Sequence, residues 1–179
     1  MKQEAVELLR RHKSTPSYLP PGMPEGAYLR FLDRILHASE SISPSEWQAL
    51  AQEGLVLGRC ACIPVLLQVR DPKPSGETLY CYDLVADLVA EYLLAGEWGY
   101  QAELDGSLIV LLCYQYSLDP EQEAAVKGRV GQQCKSMITA CRERYGLQLS
   151  VYLGKFVPSI REVAEEYEHL RKFLLFNRF

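Results

Sequence analysis

No apolar run in the 179 residues approaches the roughly 18 needed to cross a bilayer. The opening Met1-Lys-Gln-Glu-Ala-Val-Glu7 has no apolar signal core, so the chain is expected to be cytoplasmic and to make no membrane contact. An excess of positive charge is also missing. Nineteen Lys and Arg stand against 23 Asp and Glu, a formal net charge of -4, which argues against a broad basic face for nucleic acid on these residues. Histidine is scarce, with only His12, His37 and His169, scattered along the chain. The six cysteines (Cys60, Cys62, Cys81, Cys113, Cys134, Cys141) contain no C-x-x-C pair. They read as small core residues in a reducing compartment rather than as a zinc site or disulfide framework. Cys60 and Cys62 are the one close pair, and strand alternation would place both on one face. There is no phosphate-cradling G-x-x-x-x-G-K-[ST] loop, no G-x-G-x-x-G and no nucleophile elbow. No metal and no cofactor is expected. Internal repeats and low-complexity tracts are absent too.

What is present is enough apolar sequence for one real core, 48 % of the residues, with 23 % charged. Residues 2–13 predict a short charged helix, too short to stand alone. The proline- and glycine-rich stretch Ser14–Gly26 predicts an irregular linker. A helix is expected from about Ala27 to Ala38. A second begins at the capping box Ser43-Pro-Ser-Glu46 and ends at Gly54. Ile63-Pro-Val-Leu-Leu-Gln-Val69 reads as a strand apolar throughout, with pairing expected from Val65 because Pro64 lacks an amide. The Asp71–Gly76 segment is a loop by composition. A helix over about 78–95 follows.

Tyr100–Tyr114 predicts a β-hairpin about Asp105-Gly106, a two-residue turn that needs positive φ. Its first arm alternates, with Trp98, Tyr100, Ala102 and Leu104 on one side and Gly99, Gln101 and Glu103 on the other. Its second, Leu108–Cys113, is continuously apolar. Asp119-Pro-Glu-Gln122 opens the longest helix, to Tyr145, which carries Gly128 and Gly131 inside it. Leu147–Leu153 alternates as a strand. Ser159-Ile-Arg-Glu162 is a further capping box before an amphipathic helix through Leu174. Arg171, Lys172 and Arg178 read as favourable charge at that helix's C-terminus.

The order is β-α-β-β-α-β, with strands one and three apolar throughout and strands two and four alternating. It predicts an α+β, ferredoxin-like, nucleotidyl-cyclase-like antiparallel sheet of order 4-1-3-2. The two crossover helices are expected on one face, with N-terminal helices added. The other face must meet solvent, added helices or a partner. The predicted divisions are a connecting helix and linker over 1–26, a helical lead-in over 27–58 and the α+β domain over 59–179.

Several stretches, in order, resemble the degenerate GGDEF-like domain of bacterial transcription regulators of the AraC type and, more distantly, the PucR type. They are Phe31-Leu-Asp-Arg-Ile-Leu36 with Glu53-Gly-Leu55, Pro64-Val-Leu-Leu-Gln-Val-Arg-Asp71, Ser107-Leu-Ile-Val-Leu-Leu112, Leu149-Ser-Val-Tyr-Leu-Gly154, and Ser159 to Phe173. His169 and Leu170 stand near the alanine of the relatives' Tyr-x-x-Ala helix. In active diguanylate cyclases, the resemblance implies, the hairpin tip carries a Gly-Gly-Asp/Glu-Glu-Phe motif whose acidic residue binds metal together with an aspartate at the end of strand one. Here the tip is Leu104-Asp105-Gly106-Ser107-Leu108, without the glycine pair and with Ser107 in place of the glutamate. A two-metal phosphoryl-transfer site needs close carboxylates. Asp71, Glu103 and Asp105 are the only candidates, and with Gly106 they are the candidate ligand-binding residues.

The resemblance implies a non-catalytic signalling module, not an enzyme. It would relay a signal or dimerise between an upstream sensor and downstream DNA-binding helices, as a homodimer touching DNA only through that downstream part. On this reading the chain begins in a connecting helix and stops where a linker to those helices would start. The alternative is an effector-binding domain that retains a nucleotide or small-molecule site without turnover. A third reading is a diguanylate-cyclase-like enzyme.

Overall fold

The computed structural model describes residues 25–38, 42–52, 61–70, 78–95, 97–114, 118–159 and 162–176. The expected helix at 2–13, the linker as far as Pro24, Cys60, Asp71 and the Asp71–Gly76 loop lie outside them; Glu25 and Gly26, expected in the linker, are already helical. Among the described residues nine elements follow one another: α1 (Glu25–Ala38), α2 (Pro44–Gln52), β1 (Ala61–Arg70), α3 (Thr78–Tyr92), β2 (Trp98–Leu104), β3 (Ser107–Tyr114), α4 (Pro120–Tyr145), β4 (Gln148–Leu153) and α5 (Val163–Phe176). The four strands form one antiparallel sheet of order β2-β3-β1-β4, which counted from the other edge reads β4-β1-β3-β2. The two continuously apolar strands are therefore inside and the two alternating ones are at the rims.

Two-residue periodicity divides the inner strands between two cores. Ile63, Val65, Leu67 and Val69 of β1, with Leu108, Val110 and Leu112 of β3, pack beneath α3 and α4. Cys62 and Leu66, with Ile109, Leu111 and Cys113, face the other way. There they meet Leu32, Ile35 and Leu36 of α1, Trp47 of α2, and Val163, Tyr167, Leu170 and Leu174 of α5. The second face is thus covered by helices from both ends of the chain. The lead-in helices belong to the core rather than standing apart from it.

Pro64 does not delay the pairing. The β1–β3 ladder runs from Ala61↔Tyr114, four residues before the expected start at Val65. Cys62 exchanges both backbone bonds with Val157, and the Pro64 carbonyl accepts from the Gly154 amide at 2.9 Å. Residues of this parity therefore point their backbone at β4, not at β3. Between Val65↔Leu153 and Cys62↔Val157, three residues (Gly154, Lys155, Phe156) lie opposite two (Ile63, Pro64). The missing amide of Pro64 faces this bulge, where a regular ladder bond is already interrupted. Gly154 is required there, since a Cβ would sit 2.7 Å from Pro64 Cγ and 2.9 Å from its carbonyl oxygen.

Local signals set most helix ends. Both arms of the Asp119–Gln122 capping box form, and Gly146 closes α4 in the left-handed conformation at φ 66°. Glu46 accepts from the Ser43 amide at 2.8 Å and also binds Arg34 of α1 at 2.7 Å, joining the first two helices. At Ser159 the outcome differs: its carbonyl takes the Glu162 amide in a tight turn, and the regular helix begins only at Val163.

Candidate functional site

The hairpin tip is built as its sequence requires. Asp105 and Gly106 both have positive φ, 54° and 71°, the geometry of a two-residue hairpin turn that suits Asx-Gly. The tip is then fixed from both sides of the sheet. From α3, the Tyr82 hydroxyl donates to the Gly106 carbonyl at 2.7 Å. From the opposite side, the Tyr167 hydroxyl of α5 donates to Asp105 Oδ2 at 3.0 Å. His37, in the last turn of α1, brings Nε2 to 2.9 Å of the same oxygen.

Further charges surround this carboxylate. Arg171, one turn after Tyr167, stands 3.7 Å from Asp105 Oδ2 and 3.0 Å from Glu168 Oε1, with its guanidinium over the Tyr167 ring at 5.7 Å. The His37 ring meets the Tyr167 ring edge-on, centroids 5.3 Å apart. His37 also lies within 4 Å of Asp33 on its own helix and of Glu168. Burial, and then the bond to Asp105, push the Tyr167 hydroxyl well above the ordinary phenol range, so it is a donor throughout the physiological range. For Arg171 burial acts downward, but Asp105 and Glu168 outweigh it and leave the guanidinium pKa raised. The result is a polar node joining three separate elements. Its one fully buried member is the Tyr167 ring, which puts the hydroxyl at the node's base.

The sequence-predicted site residues do not converge. Asp105 turns toward α1 and α5. Glu103 lies on the other face of the hairpin, where burial and then the nearby Asp83 carboxylate raise its pKa. The tip therefore divides these two carboxylates instead of pairing them, the reverse of a two-metal arrangement. Asp71 lies outside the described residues. Among those residues, no group of three or more His, Cys, Asp or Glu is placed to hold a metal ion. An open groove of about 350 Å³ runs along the outside of α4 beside Tyr92, Ser136, Thr139 and Arg144. Tyr92 is at the opposite end of α3 from Tyr82, so this groove is remote from the tip.

Sequence reading missed His37, Tyr82, Tyr167, Glu168 and Arg171. Arg171 is not simply a solvated charge at a helix end; its side chain is 35 % exposed and turned onto the tip. The signal available was the i, i+4 spacing of Tyr167 and Arg171, with Tyr167 on an otherwise aliphatic stripe. Comparison with protein-family models, with curated proteins and with solved structures found no match to this chain.

Proposed function

We propose that this chain is a non-catalytic relay module of a bacterial transcription regulator, built on a ferredoxin-like, nucleotidyl-cyclase-like βαββαβ sheet whose nucleotide tip has become a mechanical joint. The observation that carries the reading is that Asp105 is occupied by partners from the chain itself, His37 from α1 and Tyr167 from α5. In active diguanylate cyclases, the resemblance implies, the glycines of this turn let the backbone approach the nucleotide. Here the turn clasps the first and last described helices, which lie on one face of the sheet, to each other.

The relay follows from that connectivity. A displacement of α1 moves His37 and alters the bonding of Asp105. Asp105 shares its oxygen with Tyr167 and lies next to Arg171, so the change reaches α5 without passing through a ligand. The two helices also share one apolar core, and a packed core passes on displacement because it holds few discrete arrangements. In the parent protein, α1 would follow a sensor and α5 would lead to DNA-binding helices, with two copies pairing.

Two measurements test this. Calorimetry and product analysis with GTP, ATP and cyclic di-GMP, in Mg²⁺ or Mn²⁺, should show neither stabilisation nor turnover. A saturable thermal shift would favour the effector-binding reading, and a cyclic dinucleotide product would establish an enzyme. Amide exchange on His37→Ala should quicken at the Asp105-Gly106 turn and in the first turns of α5. Acceleration confined to α1 would overturn the relay.

A further inference from the structure

Cys62 and Cys113 are exact cross-strand neighbours in the β1–β3 ladder, Cα partner to Cα partner. The bonding pattern determines which kind of neighbours they are. Cys62 directs its amide and carbonyl away from β3, exchanging both bonds with Val157. The pair is therefore of the non-hydrogen-bonded type, in which Cα atoms stand only about 4.5 Å apart and side chains are closest. Both side chains project to the same face, into the core beneath α1, α2 and α5. Cα separations of roughly 4.4–6.8 Å are those a disulfide accepts. Both residues are thiols.

We infer that Cys62 and Cys113 form a reversible redox site, oxidised by a small hydroperoxide to a disulfide across the two inner strands. One thiolate attacks the peroxide, taking one oxygen as sulfenic acid and releasing hydroxide, which takes up a proton to become water. The second thiol displaces that oxygen as water and forms the S–S bond. Two thiols and one hydroperoxide thus give one disulfide and, for hydrogen peroxide, two waters; the sulfurs lose two electrons and the peroxide gains them. The cysteines are 0 % and 4 % exposed, so a small oxidant must enter by local opening. The pair is one step from the end of its ladder at Ala61↔Tyr114, so opening there breaks fewer β1–β3 bonds than opening mid-strand would.

The other described cysteines lie in the core on the opposite face of the sheet. Cys134 and Cys141 are seven residues apart on α4, an axial distance of about 10 Å. Burial, and then the neighbouring Cys81 thiol, raise the Cys141 pKa; a bond between those two would join α3 to α4 and leave the inner strands unlinked. A bond between Cys62 and Cys113 would fasten the centre of the sheet on the face that carries α1 and α5.

The folded protein is titrated with hydrogen peroxide, circular dichroism is followed, free thiols are alkylated, and the chain is mapped without reduction. The expected result is a product two hydrogen atoms lighter, with Cys62 joined to Cys113 and both regaining alkylation after dithiothreitol. The link should persist in Cys60→Ala and disappear in Cys113→Ala. Loss of the link in Cys60→Ala would assign the bond to the wrong cysteine. Full alkylation of Cys62 and Cys113 after peroxide has oxidised the methionines of a still-folded chain would overturn the site. If Cys113→Ala does not fold, the wild-type and Cys60→Ala maps together decide the question.

Discussion

Replacing Tyr167 with phenylalanine removes one atom from the node and nothing from the core. The ring is fully buried and its volume is kept, so no cavity term enters. What is lost is a hydroxyl donor 3.0 Å from a carboxylate oxygen. Bonds to charged groups contribute about 1.5–3 kcal/mol. The Asp105 side chain is 41 % exposed and keeps His37 at 2.9 Å, so water and the imidazole offset part of the loss. The expected cost is about 1 kcal/mol, or roughly 2–4 °C in Tm for a chain of this size. A double-mutant cycle with Asp105→Gly isolates it, because glycine tolerates the turn's φ of 54° while removing the acceptor. In that background Tyr167→Phe should cost almost nothing, leaving a coupling near 1 kcal/mol by urea unfolding. If the two changes simply add, the hydroxyl and the carboxylate are energetically independent, and the joint on which the relay rests does not exist.

The remaining predictions concern packing and titration. Gly99→Ala places a Cβ 2.5 Å from the Leu111 carbonyl oxygen and 2.9 Å from Leu94, and should destabilise by about 1–3 kcal/mol or more in chemical denaturation. Gly128→Ala meets open space inside α4 and should stabilise by about 0.5–1 kcal/mol in the same assay. Burial, then Glu97, push the Tyr114 hydroxyl up to about 12. A raised folded-state pKa means that its contribution is complete below the ordinary value of 10 and is lost as pH rises toward 12. Melts between pH 9 and 12 should therefore fall more gently for Tyr114→Phe than for wild type. Arg34, and then the Ser43 bonds, hold Glu46 down at about 2. Its contribution is present above pH 4.5 and is lost as pH falls toward 2, so Glu46→Gln should flatten that part of the acid melting profile.

The strand pattern was legible because its causes are local. Val65 to Val69 and Leu108 to Cys113 are apolar at nearly every position because both faces are covered. Asp105-Gly106 announces its own turn. Gly154 stands in the sequence only as the residue after the Leu147–Leu153 strand. Its need to approach Pro64 closely depends on a bulge between segments some ninety residues apart in sequence, which no short window contains. The node was hidden for the same reason. Tyr167 fits an apolar helical stripe, and nothing near His37 in the sequence refers to residue 105. Helix propensity and capping residues locate α1 and α5, but their shared hold on Asp105 is a tertiary fact.

The place of β1 inside the sheet has a consequence for biosynthesis. Val65 pairs with Leu153, 88 positions later, so the strand leaves the ribosome long before its last neighbour exists. At about 5–20 residues per second, that interval is on the order of 4–18 s. For all of it the edge of Ile63–Val69 that will pair with β4 stays open to chaperones and to other nascent chains. The yield of folded protein in the cell should therefore depend on translation speed and chaperone supply more than its equilibrium stability would suggest.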